Sequence, residues 1–170
     1  MTSNLSTTCR ACGDGGKQPP RWKDMGCFRF RVCSVCGYHQ LEPSPLPAEL
    51  QLIYGAAYFD KGKYATDLAE QREQERRVGL LRRAGLGEGA RVLDFGCATG
   101  VFIRYASTLF DMWGAEISDP ALAGARQNLP DHADRLLGLP GLDGLENESF
   151  DAVVAWDVVE HLVDPAETLQ

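Results

Sequence analysis

Two closely matched cysteine pairs constrain the fold of this chain more than any other feature of its sequence. Cys9 pairs with Cys12 and Cys33 with Cys36, each across two intervening residues, and 20 residues separate the two pairs. A two-residue spacer lets both thiolates of a pair reach one metal ion, and structural zinc favours four ligands in a tetrahedron, often all thiolates. The spacing therefore predicts a zinc ribbon, in which the four cysteines bind one structural Zn²⁺ ion and leave no position open for catalysis.

The residues around the cysteine pairs support a ribbon. Each pair runs on into a glycine, Gly13 or Gly37, which permits the positive φ that a tight turn often needs. Residues 28–32 alternate apolar and basic side chains, as a half-exposed strand does, and residues 38–41 are its predicted partner. A redox Cys-x-x-Cys pair and disulfides are the alternatives, but a redox pair normally begins a helix of a larger α/β unit.

Charge separates the first part of the chain from the rest. Residues 1–42 carry a formal charge of +3, residues 43–75 carry −3 and residues 76–170 carry −7. The net acidity disfavours general binding to nucleic acid. The N-terminus lacks a secretory signal, and no apolar run approaches the roughly 20 residues that span a bilayer. We therefore predict a cytoplasmic protein outside the membrane, where paired cysteines are more often metal ligands than disulfides.

A proline-rich stretch over residues 41–47 ends the predicted ribbon, because such a stretch is extended and fairly stiff. Together with the charge pattern, it predicts three parts of the chain. They are a zinc ribbon over residues 1–42, a proline-bearing helical connector over 43–75 and an α/β domain over 76–170.

Two helices are predicted in and after the connector. The first covers residues 47–54, and the second covers residues 64–84, ending before Gly85. The second helix carries a run of mixed charge over residues 70–77, which is interpreted as a solvated face.

From Ala90 onward, short apolar runs alternate with helical segments. The predicted strands cover residues 91–95, 111–117, the region near 135–137, and 150–156. A helix is predicted over residues 101–109, and another begins at Asp119. This alternation is typical of a parallel, doubly wound α/β sheet of the Rossmann-like kind.

Small residues and an acid follow the first two strands of this sheet. The turn over residues 96–100 allows backbone N–H groups to approach a ligand closely. Glu116 lies 20 residues after Gly96 and is placed to accept hydrogen bonds from both hydroxyls of a ribose. The pattern predicts an adenosine-type cofactor. It lacks the third glycine of a dinucleotide fingerprint, with Val101 in that position, and no Gly-Lys-Ser/Thr of a P-loop occurs.

Two segments resemble motifs of the class I S-adenosylmethionine-dependent methyltransferases. Residues 92–100, Val-Leu-Asp-Phe-Gly-Cys-Ala-Thr-Gly, resemble motif I, and residues 150–162 resemble the fourth-strand motif. The whole chain is similar to a bacterial subgroup that joins a zinc ribbon, a proline-bearing connector and the methyltransferase domain. The resemblance implies a Rossmann-like methyltransferase that uses S-adenosylmethionine and acts on a small molecule or a glycan precursor.

The resemblance assigns the first cofactor contacts by position. It implies that Asp94, Gly96 and Gly100, with Cys97 in the same turn, bind the methionine end of S-adenosylmethionine. It also implies that Glu116 binds the ribose.

The remaining contacts follow in the same way. The resemblance implies that Ile117 lies beside the adenine, and that Trp156 and Asp157 lie next to the sulfonium end. Methyl transfer is an in-line displacement at an activated sulfonium, so the enzyme has to align the acceptor and remove its proton. His161 is the candidate general base, because its ordinary pKa lies near neutrality.

The sequence departs from the family pattern at two places. Ala98 stands where the family more often has glycine. After the third strand, residues 138–141 offer no acid for the adenine amino group, and Asp143 is a poor substitute.

Two other function classes compete with methyl transfer. A nicotinamide-linked oxidoreductase shares the combination of a parallel sheet and a ribose-binding acid. A binding module would use the ribbon for recognition and keep an inactive cofactor fold.

The end of the sequence resembles the start of a helix. Asp164 suits an N-cap, Pro165 the first helical position and Glu167 the capping-box position. The predicted strands supply about four of the seven in the family's sheet. We therefore expect a methyltransferase domain truncated at its C-terminus, with little activity alone.

Overall fold

The computed structural model describes residues 8–13, 15, 21–44, 68–162 and 164–168. The chain divides into two compact units, one made of Met1–Leu50 with Val159–Gln170 and the other of Gln51–Val158. The predicted borders at residues 42 and 75 stay predictions. The predicted helix over residues 47–54 lies outside the described residues.

An antiparallel sheet of three strands organises the first unit. The strands are β1 (Arg21–Met25), β2 (Phe28–Val32) and β3 (His39–Glu42), in the order β1-β2-β3. The predicted strand and its partner are confirmed as β2 and β3, whereas β1 was not predicted. A two-residue turn joins β1 to β2, and Gly26 supplies it with a φ of +62°.

The burial of β2 is the reverse of what its alternating sequence suggests. Phe28 is 56% exposed, whereas Arg31 is only 8% exposed. The Arg31 guanidinium is satisfied within the ribbon, where Nη1 donates a hydrogen bond of 3.0 Å to the Thr8 carbonyl oxygen. A small ribbon has little core to bury apolar side chains, so a paired cation takes the inner position.

A parallel sheet organises the second unit, as predicted. The strands are β4 (Arg91–Phe95), β5 (Asp111–Ala115), β6 (Leu136–Leu137) and β7 (Ala152–Val154), in the order β6-β5-β4-β7. Each pairs in parallel with its neighbour, and Leu93 at the centre of β4 faces Trp113 on one side and Val153 on the other.

Helices precede the sheet and connect its strands. The α-helices of the second unit are α1 (Leu68–Arg83), α2 (Val101–Ala106), α3 (Asp119–Asn128) and α4 (Leu139–Leu142), with a 3₁₀ helix over Pro130–Arg135. The first unit adds a 3₁₀ helix over Val159–His161 and α5 (Pro165–Thr168). In the described part of the chain, no helix combines the length and the apolar character that crossing a membrane requires.

Two helix ends test the sequence expectations directly. The helix predicted over residues 101–109 ends at Ala106, and the chain then turns so that Phe110 is buried at the start of β5. The predicted N-cap of the last helix is confirmed, because the Asp164 carboxylate accepts a hydrogen bond of 3.1 Å from the Glu167 N–H.

The core of the second unit lies on one face of the parallel sheet. Val92 and Met112 are fully buried on neighbouring strands, and Ile103 of α2 is buried with them. Gly114 lets α2 approach this closely, since a Cβ there would lie 2.6 Å from the Ile103 Cδ1 atom. Asp94 follows Val92 by two residues, so it lies on the same face as this apolar core.

Candidate functional site

The candidate cofactor residues follow the carboxyl ends of β4, β5 and β7. In the sheet, β5 and β6 lie to one side of β4, and β7 lies to the other side. The winding of the chain therefore reverses beside β4, and open α/β sheets bind ligands in the crevice at such a reversal. The turn after β4, residues 96–100, begins at this crevice.

The glycines of this turn are required by backbone conformation and by packing. Gly96 has a φ of +81° and Gly100 of +82°. A Cβ at Gly96 would overlap the Val158 side chain, and one at Gly100 would lie 2.5 Å from the Leu129 Cδ1 atom. The sequence interpretation attributes small residues here to the approach of a ligand, whereas the structure adds an internal reason for them.

Glu116 ties the turn after β4 to the end of β5. Its side chain is buried, and its two carboxylate oxygens accept hydrogen bonds from the Ala98 N–H at 2.9 Å and the Ser118 N–H at 2.8 Å. A carboxylate has about four acceptor sites, so both oxygens keep capacity for further donors. The structure thus fixes the orientation of the acid predicted to bind a ribose.

Asp94 is a buried carboxyl group at the end of β4. It is 3% exposed, and among the described residues none donates a hydrogen bond to its side chain. Burial raises the pKa of Asp94 to about 7; the positive charge of Arg77 opposes this shift, and the negative charge of Glu116 adds to it. A cationic ligand group beside Asp94 would therefore favour its ionised form.

Cys97 and Ile117 differ sharply in exposure. Cys97 is 5% exposed, and burial raises the pKa of its thiol, so it packs as a small apolar residue and is not a nucleophile. Ile117 is 72% exposed directly after Glu116. An exposed apolar side chain at this point offers a surface to a flat ring.

Trp156 and Asp157 form the turn after β7. The Trp156 ring packs edge-on against Phe102, with 5.6 Å between the ring centroids. Its buried Nε1 donates to none of the residues that the structure describes. Asp157 has a φ of +55°, and its carboxylate lies 2.8 Å from a guanidinium nitrogen of Arg77.

Arg77 is the residue of this site that the sequence analysis missed. Its side chain is 15% exposed, and its Cζ lies 5.1 Å from the centroid of the Trp156 ring. The mixed charge around it indicates a solvated face, whereas the structure turns Arg77 inward. The available signal was its spacing, because Arg77 shares a helix face with the buried Gln74 and Leu81.

His161 belongs to the other compact unit, in the 3₁₀ helix Val159–His161. Its side chain is 39% exposed, and its Nε2 lies 4.0 Å from a carboxylate oxygen of Glu160. Its role as a general base stays a prediction.

The four predicted metal ligands lie together. The sulfur atoms of Cys9, Cys12, Cys33 and Cys36 all lie within 4.8 Å of one another. The Cys9 and Cys36 sulfurs are 3.7 Å apart, and the Cys12 and Cys33 sulfurs are 3.8 Å apart. Zinc–thiolate bonds of about 2.3 Å place the sulfurs of a tetrahedron about 3.8 Å apart, so the cluster fits Zn²⁺.

The turns around the cluster present the sulfurs to one point. Gly13 and Gly37 follow the two pairs with φ values of +70° and +75°, which confirms the predicted turns. The backbone amides of Cys36 and Val35 lower the pKa of the Cys33 thiol to about 6. Backbone donors thus favour the thiolate that a metal needs.

Comparison with known proteins follows this geometry. Residues 68–170 match the family model described as a methyltransferase domain. No curated protein matches the sequence at a significant level.

Two solved structures illustrate the similarity. Magnesium protoporphyrin IX methyltransferase from Synechocystis PCC 6803, with bound S-adenosylmethionine, is 21% identical over 66% of this chain and 62% of its own, with a TM-score of 0.51. This match establishes the fold, and the chain covers less than two thirds of that protein. An amino pentose methyltransferase from Micromonospora echinaspora is 28% identical over 58% of this chain and 41% of its own, with a TM-score of 0.47.

Proposed function

The chain belongs to the family of methyltransferase domains, and on that premise we propose that it transfers a methyl group from S-adenosylmethionine to a small-molecule acceptor. The observation that carries the proposal is the grouping of Asp94 and Glu116 around the turn over residues 96–100. The two carboxyl groups lie at the carboxyl ends of adjacent parallel strands, where this fold binds its ligands.

The residues of the site fit this cofactor in three respects. Glu116 is an oriented carboxylate with spare acceptor sites for the two ribose hydroxyls. Asp94 is a buried carboxyl group that lacks a donor among the described residues and suits the ammonium group of the methionine end. Ile117 is an exposed apolar side chain next to the ribose acid and suits the adenine ring.

When bound, S-adenosylmethionine supplies a methyl group on an activated sulfonium. The chain's own residues then hold the two ends of the cofactor and align the acceptor. Trp156 and Asp157 follow β7 and are proposed to line the sulfonium end. His161 is proposed as the general base that takes the acceptor's proton. The small-molecule or glycan-precursor class of the acceptor rests on the sequence resemblance.

We propose a structural role for zinc. Four thiolates complete a tetrahedron, so a Zn²⁺ ion bound by the ribbon has no position left for a substrate. The metal would stabilise the three-stranded sheet and take no part in methyl transfer. The placement of the protein in the cytoplasm remains part of the same proposal.

Calorimetric titration separates this function from the nicotinamide alternative. We expect the protein to bind S-adenosylhomocysteine, and NADH not to bind. Glu116→Gln should weaken S-adenosylhomocysteine at least about 10-fold, because it removes a charged acceptor for the ribose. The matched control is Glu88→Gln, which changes an exposed acid and should leave the affinity unchanged. Binding of NADH alone would contradict the proposal and favour an oxidoreductase.

Titration also addresses the second alternative, a binding module with an inactive fold. A protein that binds neither S-adenosylhomocysteine nor NADH, while remaining folded by circular dichroism, would favour that alternative.

A further inference from the structure

One arginine is surrounded by three acids in the second unit. Arg77 Nε donates a hydrogen bond of 3.1 Å to a Glu73 carboxylate oxygen, and Nη2 donates one of 2.8 Å to the Asp157 carboxylate. Its charge also acts on the buried Asp94. The Nη1 nitrogen donates to none of the residues that the structure describes, so part of the guanidinium fork stays available.

The two ion pairs of Arg77 differ in permanence. Glu73 is anchored on the same helix, four residues before Arg77, and hydrogen bonds from Arg76 and then Arg77 hold its pKa at about 2. Asp157 comes from the turn after β7, and its side chain is 80% exposed. An ion pair with so exposed a partner contributes little and is easily replaced, because water and salt screen it.

Trp156 holds the guanidinium in place from the other side. The Arg77 Cζ lies 5.1 Å from the ring centroid, which is the distance of a cation–π contact. With Glu73 and Trp156 both fixed, the position of the cation is set before any ligand arrives.

The methionine end of the proposed cofactor is a zwitterion, with one ammonium and one carboxylate group. Asp94 offers an anion for the ammonium group, but the residues predicted from sequence include no cation for the carboxylate. Burying an unpaired carboxylate is costly, so the site needs a positive charge close to Asp94. Arg77 is the cation that acts on the Asp94 carboxyl, and its planar fork suits bidentate binding of a carboxylate.

We propose that Arg77 binds the carboxylate of the cofactor's amino-acid end, exchanging its ion pair with Asp157 for one with the ligand. This inference rests on the proposed function, since it names the partner of one group of S-adenosylmethionine. Arg77 is thereby a cofactor-binding residue, and Asp157 is its partner when the site is empty.

The test compares two ligands that differ in the amino-acid end alone. S-adenosylhomocysteine carries that end, and 5′-methylthioadenosine has a methyl group in its place. Arg77→Gln is expected to weaken S-adenosylhomocysteine about 10- to 100-fold, because a charged hydrogen-bond pair is lost. The affinity for 5′-methylthioadenosine should stay within about two-fold of wild type, and this second ligand also reports that the variant's site is folded.

Arg76→Gln is the matched control. Arg76 neighbours Arg77 on α1 and also pairs with Glu73, but its side chain is 56% exposed and it makes no contact with Asp157. The control should bind both ligands as the wild type does.

Two further results would overturn the proposal in distinguishable ways. If Arg77→Gln weakens both ligands equally, or weakens neither, the carboxylate has another partner and this inference fails while the proposed function stands. If the wild-type protein binds neither ligand, the proposed function fails and this inference fails with it.

Discussion

At the scale of single residues, Ala98 occupies a backbone conformation that alanine rarely adopts. Its φ is +48°, in the left-handed region. We expect Ala98→Gly to stabilise the protein by about 0.5–1 kcal/mol, because the left-handed strain of about 1–2 kcal/mol exceeds the entropic cost of glycine. Thermal unfolding measures the change. Ala123→Gly on the exposed side of α3 is the control and should destabilise by about 1 kcal/mol; equal destabilisation by both variants would contradict the prediction.

Asp94 predicts a pH dependence of stability. Its pKa rises from 3.8 to about 7 on folding, so the folded chain binds this proton more tightly than the unfolded chain. The contribution of Asp94 is therefore fully present below about pH 4 and is lost as the pH rises through about 7, by about 4 kcal/mol at most. Asp94→Asn removes this loss, so the variant should gain stability over wild type as the pH is raised from 4 to 8.

Melting temperatures recorded across that pH range check the sign. The exposed Asp134→Asn is the control and should follow the wild-type curve. A stability difference between Asp94→Asn and wild type that stays constant with pH would show that Asp94 is ionised throughout.

Much of the site at this scale follows from residue order. Glu116 and Asp94 were identifiable because an acid at the end of a parallel strand has few other roles. Arg77 was not, because its ion pair joins residues 80 positions apart and its neighbours in sequence are all charged or polar. The reason for Gly100 was equally hidden, since it depends on contact with Leu129 in a later element.

At the scale of elements, one glycine sets the distance between α2 and the sheet. A Cβ on Gly114 would lie 2.6 Å from Ile103, 2.8 Å from the Cys97 sulfur and 2.9 Å from Leu136. Ile103 and Leu136 are fully buried and have no room to withdraw, so Gly114→Ala should destabilise by about 1–3 kcal/mol. Urea unfolding followed by circular dichroism measures this.

Gly87 provides the comparison for that variant. A Cβ there meets nothing within 4 Å, so Gly87→Ala should be neutral or stabilising by up to about 1 kcal/mol. A neutral Gly114→Ala would mean that α2 shifts away from β5 at little cost.

Elements differed in how far their sequences revealed them. The buried strands β4 and β5 were predicted within two residues at each end, because apolar runs with an abrupt polar end are distinctive. β1 was missed because Arg21–Met25 is exposed throughout and has no apolar face. Pairing with β2, which no local pattern encodes, is what makes it a strand.

At the scale of the whole molecule, zinc is expected to hold one unit and not the other. Cys12→Ser should lower the zinc content from one ion per chain to well below one, and the three-stranded sheet should unfold, because metal binding supplies the folding energy of such sites. The parallel sheet should persist, since its core is separate. Elemental analysis and the near-ultraviolet circular dichroism of the tryptophans follow the two events.

Cys27→Ser is the control for zinc. Cys27 is exposed in the turn between β1 and β2 and lies outside the cysteine cluster, so this variant should keep its zinc. Loss of zinc from Cys27→Ser, with retention in Cys12→Ser, would mean that the ligand set is different.

Order within the whole molecule was the least predictable from sequence. Residues 159–170 follow the fourth strand of the parallel sheet, yet they group with the ribbon. One link is a hydrogen bond of 3.3 Å from the Ala166 N–H to the Arg10 carbonyl oxygen, across most of the chain. Such a contact leaves no local signature, because neither residue needs a special side chain to make it.

The strand order β6-β5-β4-β7 also has a consequence during synthesis. One side of β4 pairs with β5, only 20 residues later, but the other side waits for β7, as the pairing of Val92 with Ala152 shows. At translation rates of about 5–20 residues per second, that delay lasts about 3–12 s. For this time the nascent chain carries a half-paired, strongly apolar strand, which is the kind of segment that a ribosome-associated chaperone would shield.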